Sequence, residues 1–139
     1  MTEDERGDEV AKASFAGGHA LLIAVAAYTK ISPLPAAVMN DATEIAAVLT
    51  SPTLCGYDSK NVAMLVDAQC TLDALRRELA TLAARAKPDD TVIIFFSGHG
   101  GRFGNPADQE SALIPVDCDP ASLTSTIMSE AEFSAALER

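Results

Sequence analysis

Tryptophan is absent, and the only aromatic residues are five phenylalanines and two tyrosines. A core of 139 residues with so few rings must be built from Ala, Val, Leu and Ile, as in parallel sheets covered by alanine-rich helices. Basic residues are also scarce, ten against twenty acidic ones for a net charge of −10. That balance disfavours nucleic acid or an anionic membrane as partner and suits a basic peptide or protein. No apolar run approaches the roughly 20 residues that span a bilayer, and the acidic start Met1 to Asp8 is the opposite of a signal peptide. Cys55, Cys70 and Cys118 make no CxxC pair and no even-numbered disulfide framework, so three unpaired thiols in a reducing cytoplasm are expected.

What is present is Ser97-Gly98-His99-Gly100, directly after the apolar run Val92 to Phe96. This places an imidazole at the C-terminal lip of a buried strand, where α/β sheets do chemistry. A histidine there can act as general base on a nucleophile within about 3 Å, and the flanking glycines let backbone amides approach a reacting carbonyl. No nucleophile stands beside it in the sequence. A phosphate-binding loop over Gly98 to Gly104 is the weakest reading, because Asn105-Pro106 follows the glycines and no Lys-Ser or Lys-Thr pair exists.

The order of elements is β-α-β-α-β. Ala20 to Val25 reads as a buried strand, 36 to 49 as a crossover helix with Ile45, Val48 and Leu49 at helical spacing, and Asn61 to Val66 as the second strand. Leu72, Leu75, Leu79 and Leu82 keep helical steps over Thr71 to Lys87, with Thr71 as N-cap and Pro88 as stop. The charged face carrying Arg76, Arg77 and Glu78 is expected to be solvated surface. Thr91 to Phe96 is the third strand, and helical crossovers imply a parallel sheet. Ala112 to Asp117 reads as a short strand, and Ser129 with Glu132 as a capping box opening a final helix. Ending on a helix implies a sheet with a strand still to come. Residues 1–17 are expected to form a flexible acidic tail, and His19 is expected to be structural.

Taken together, Leu21 to Val25 with Tyr28, Asn40-Asp41-Ala42, Gly56-Tyr57, Leu65-Val66-Asp67, Asp89-Asp90, Phe95 to Gly100 and Leu113 to Asp117 resemble the large-subunit region of metacaspases and prokaryotic caspase-like cysteine proteases. The resemblance spans residues 19–139. It implies a caspase-like three-layer α/β sandwich with a mostly parallel sheet, represented over 18–139 by a large-subunit fragment that lacks the strand bearing the nucleophile. His99 would be the histidine of a Cys-His dyad and Gly100 an oxyanion-hole donor. The cysteine would come from a following segment or chain, since none of the three here aligns with it; Cys118 keeps a small chance because its loop follows the histidine loop.

The resemblance also implies that Asp41 and Ser97 line the pocket for the residue before the cleaved bond. A buried carboxylate there favours Arg or Lys. Taken without the resemblance, Asp41 is simply an acid at a helix N-terminus. Arg139 at the chain end is what cleavage by such a protease would leave, consistent with a processed zymogen. Calcium-dependent metacaspases carry an aspartate pair before the glutamate ahead of the last helix, where this chain reads Ile127-Met128-Ser129-Glu130, so no calcium requirement is expected, Asp108, Glu110, Asp117 and Asp119 being read as solvated acids. The alternative function is an inactive pseudoprotease or interaction domain that keeps the fold and works by binding.

Overall fold

A computed structural model describes residues 14–103 and 110–138. Three parallel strands, β1 (Gly18–Ala24), β2 (Val62–Val66) and β3 (Thr91–Ser97), lie in the order β2-β1-β3. All seven residues of the central β1 are buried. Strand alternation divides its side chains between two cores. Leu21, Ile23 and Val25 pack with Leu72, Leu75, Leu79 and Leu82 of helix α2 (Leu72–Arg85). Ala20, Leu22 and Ala24 face helix α1 (Val38–Thr50), and their small size lets its Ala42 and Leu49 approach the sheet.

The helix boundaries follow local chemistry. Thr71 caps α2 by accepting the Ala74 amide at 3.1 Å, and Asp117 reaches across to accept the Leu72 amide at 3.0 Å. Both occupy N–H groups that the first turn leaves unpaired. At the opposite end of the sheet, buried His19 meets Asp90 through its Nε2 at 2.9 Å. The Lys87 amide, then the His19 ring, hold the Asp90 carboxyl below its ordinary value. His19 therefore fastens the turn that starts β3, in keeping with a structural role.

A second, antiparallel sheet departs from the expected layout. Gly100–Phe103, which sequence patterning treats as loop, forms β4; it pairs with β5 (Glu110–Leu113), which pairs with the two-residue β6 (Met128–Ser129). Glycines carry little strand propensity, so only the partner strand reveals β4. β5 also begins and ends earlier than the stretch Ala112 to Asp117. Ile114 donates to the His99 carbonyl at 3.2 Å, Pro115 leaves the ladder, and Val116 donates to the Cys70 carbonyl at 2.9 Å.

One helical turn, α3 (Leu123–Thr126), and α4 (Glu130–Leu137) complete the chain as described. Ser129 caps α4 by accepting the Glu132 amide at 3.1 Å, but the box is not closed. The Glu132 carboxylate takes Nε and Nη2 of Arg76 instead, at 2.7 and 3.1 Å. Arg76 is thus a tie between α2 and α4 rather than free surface. With both partners more than a third exposed, the pair contributes at most about 1 kcal/mol.

Most of the expected acidic tail, residues 1–13, and Arg139 with its processing reading lie outside the described residues, as does Asp108. Phe15, placed in that tail, is attached: its amide donates to Gly56 at 2.8 Å and its ring meets Tyr57 edge-on at 5.3 Å. Tyr57 in turn covers Gly18 so closely that a Cβ there would come within 2.7 Å of its ring.

Candidate active site

β3 carries Ser97, Gly98 and His99 to the lip of the sheet, and a tyrosine from the neighbouring strand's loop sets the imidazole in place. Asp67, just beyond β2, adopts φ 46, a left-handed conformation that aspartate tolerates better than most residues. From there its Oδ1 accepts the amides of Ala26 and Ala27 at 2.8 and 3.0 Å. These bonds hold the chain leaving β1, so that Tyr28 turns inward and is 5% exposed.

The Tyr28 hydroxyl completes a rung of the β4–β5 ladder. It accepts the His99 amide at 2.9 Å and donates to the Ile114 carbonyl at 2.7 Å, while Ile114 donates directly to the His99 carbonyl. One direct bond of the His99/Ile114 pair is therefore replaced by N–H···O(H)···O=C. The Tyr28 ring lies 4.8 Å from the imidazole at 48°. Gly98 is needed for this approach, since a Cβ there would stand 2.8 Å from the hydroxyl.

The imidazole has a defined polarity. His99 Nε2 is 2.8 Å from the Ser32 carbonyl. A carbonyl can only accept, so Nε2 carries the proton and the neutral ring presents its lone pair at Nδ1. Gly100 supplies the second element. Because His99/Ile114 is the hydrogen-bonded pair, the adjacent Gly100/Leu113 pair is non-bonded and its amides point away from the ladder. The exposed Gly100 N–H is then available to an oxyanion. A strand after the histidine, not a helix N-terminus, also disposes of the phosphate-loop reading.

The four sequence-selected residues gather at one end of the sheet. Ile93 and Phe95 of β3 pack on the α1 face, so alternation puts Ser97 on that face, and Asp41 lies in the first turn of α1. Asp41 differs from expectation in being exposed: it stands at the flank of α1, next in sequence to the buried Ala42. Among the described residues no cation pairs with it. Asp117 and Asp119, expected to be free acids, instead cap α2 and the 3-10 turn Pro120–Ser122. The Ala121 amide first, then Lys30, hold Asp119 below the ordinary carboxylate value. In the stretch before Glu130, Ile127 and Met128 are buried apolar side chains and Ser129 is the cap of α4.

The three cysteines are free. Burial first, and then Asp117, pushes the Cys70 thiol up to about 12, leaving no thiolate for nucleophilic attack near neutrality. Cys118 helps wall an open cavity of about 410 Å³ that His99 borders, yet it is only 1% exposed. Cys55 sits half-buried in the loop before Gly56. Tyr28 is likewise raised to about 12 by burial. Both groups hold their protons more tightly folded than unfolded, so the stability they contribute is complete below the ordinary thiol value of 9.0 and declines as pH rises towards 12. The urea midpoint should therefore fall progressively above pH 9, and a flat profile between pH 8 and 11 would contradict these assignments.

Residues 17–138 match the caspase-domain model of peptidase family C14. The chain belongs to that family. Metacaspase-1 of Candida glabrata is 32% identical over 90 residues, a stretch that makes up 57% of this chain and 22% of the yeast protein. The chain thus spans under a quarter of that relative's length. Its parallel sheet, with α1 on one face and α2 and α4 on the other, is the caspase-like α/β fold, present here in part. Sequence reasoning named Tyr28 and Asp67 only as elements of the family pattern and gave them no role. The one signal was a tyrosine placed to be buried, whose hydroxyl then needs a partner.

Proposed function

We propose that this chain is the histidine-bearing part of a caspase-like cysteine endopeptidase that cuts after Arg or Lys, its thiol supplied by a segment pairing along the edge of β3 that has no partner among the described residues. The observation that carries the reading is the pinned His99 ring: Nε2–H on Ser32, Nδ1 with no hydrogen bond among the described residues, and an unladdered Gly100 amide alongside. Support for the missing strand comes from β3 itself. It ends the order β2-β1-β3, its Val92 is 39% exposed, and an apolar groove of about 570 Å³ runs beside it over Leu82, Ala86, Ile94, Phe133 and Leu137. An apolar edge strand so exposed calls for a covering partner.

In the mechanism, Nδ1 of His99 takes the thiol proton and the thiolate attacks the peptide carbonyl, whose oxygen receives the Gly100 N–H. The imidazolium then gives its proton to the leaving amine, and water hydrolyses the acyl-thioester with His99 again as base. Asp41 and Ser97, on the α1 face of the lip, meet the side chain before the cut. An unpaired carboxylate there attracts a cation and repels an acid. Calcium has no part in this proposal, since Asp117 and Asp119 already cap helical turns and the stretch before Glu130 carries no aspartate.

The test is native purification of the protein from the cells that make it, followed by fluorogenic peptides ending in Arg, Lys or Asp. Turnover of the Arg and Lys peptides, unchanged by chelator and abolished by thiol alkylation, is the expected result. Turnover that resists alkylation, or that favours Asp, overturns the proposal. Binding of peptides without turnover points to the interaction domain instead.

A further inference from the structure

The cavity bordered by His99 lies on the other face of the sheet from Asp41 and Ser97. Ala112, Ile114, Cys118 and Ile127 form its floor, all members of the core shared with α2, and Ile31 and Leu123 form its rim. α1 packs on the opposite core with Ile93 and Phe95 of β3, and strand alternation puts Ser97 on that same face. His99 stands between them as the shared wall. In an extended substrate, side chains on the two sides of the scissile bond point to opposite faces. A peptide laid across this lip with its basic side chain on the α1 face must therefore direct the next side chain to the α2 face.

We infer that this cavity is the subsite for the residue following the cut and that it takes an apolar side chain of leucine to phenylalanine size. This rests on the proposed protease reading and extends it to the leaving side. The leaving amine must approach His99 Nδ1 to be protonated, which brings its own side chain within a few ångströms of the imidazole. The volume of about 410 Å³ exceeds any single side chain, and the lining is apolar apart from Ser32, His99 and Arg102. Arg102 is solvent-exposed, so a charged residue buried against the floor of Ala112, Ile114, Cys118 and Ile127 would find no counter-charge there. An apolar one gains the burial of its carbons.

Gly101 gives direct access for a test. It lies in the cavity wall, and a Cβ there would meet Ile114 at 3.6 Å, an ordinary contact, so a larger side chain can be built into the space. Peptides of the form acyl-Arg-X, with X as Leu, Phe, Gly or Asp, are compared by kcat/KM in the natively purified protease. Leu and Phe should exceed Gly and Asp by about tenfold or more. Gly101→Leu should erase that preference, and Leu123→Trp, a change at an exposed rim position, should do the same if the first variant folds poorly.

In parallel, N-acetyl-leucinamide is titrated into the chain and the methyl resonances of Ile114, Leu123 and Ile127 are followed. Shifts that disappear in Gly101→Leu support the cavity as a binding site even if no peptide is cut, in which case the protease reading alone fails. Equal rates for all four peptides, or methyls that do not respond, overturn the inference.

Discussion

Replacing Tyr28 by phenylalanine should lower the unfolding free energy by about 2–4 kcal/mol while keeping the apolar ring in place. The hydroxyl satisfies two backbone groups, the His99 amide and the Ile114 carbonyl, and each left unmet in a buried site costs about 1–3 kcal/mol. The two cannot simply pair with each other, because the phenyl ring still separates them. Beyond stability, the variant should change the histidine itself. Its backbone loses the bond that sets where β4 begins, so the ring no longer meets the Ser32 carbonyl in one geometry, and the tautomer bias towards Nε2–H weakens.

Urea denaturation and the imidazole nitrogen shifts, measured on the same samples, separate the two effects. A stability loss with unchanged imidazole shifts would reduce Tyr28 to a packing residue. Unchanged stability would mean that the hydroxyl-bridged rung is not formed.

Under the proposed Cys-His dyad, exchanging His99 for alanine should lower kcat/KM of the natively purified protein by about 10²–10⁴, the range for losing a positioned general base. The cost to stability should be small by comparison. The imidazole is partly exposed and contributes a tilted ring contact and one exposed hydrogen bond, on the order of 1 kcal/mol together. The thiol reports the same loss without substrate. Without a base at Nδ1 the thiolate fraction falls, so alkylation at pH 7 should slow in parallel with turnover. Full activity in His99→Ala removes the dyad altogether.

Much of the sheet was legible in the sequence because its signals are local. The unbroken apolar runs of β1 and β3, and the leucine period and Thr71 cap of α2, each depend on residues within a few positions of one another. The lip position of His99 follows from the same logic, since a glycine-flanked histidine after a buried strand has only one place to go. The Ser129 cap was readable too, but not the diversion of Glu132 to Arg76, 56 residues away.

The working geometry of the site was not legible, because it is made by groups that sequence pattern does not weigh. Ser32 acts through a backbone carbonyl, which every residue possesses. Gly100 acts through an amide whose freedom depends on the register with Leu113, and β4 shows no strand pattern until β5 is beside it. Tyr28 and His99 are 71 residues apart and meet only because β1 and β3 are neighbours, with Asp67 from β2 holding the loop between them. By itself, then, the sequence determined the layers, the central strands and the place of His99 at the lip of the sheet. Tertiary structure decided which nitrogen of that residue is free, which amide is unpaired and on which face each flanking side chain would fall. Those are properties of contacts distant in sequence, where hydrogen-bond partners are set by strand order and register rather than by local residue preference.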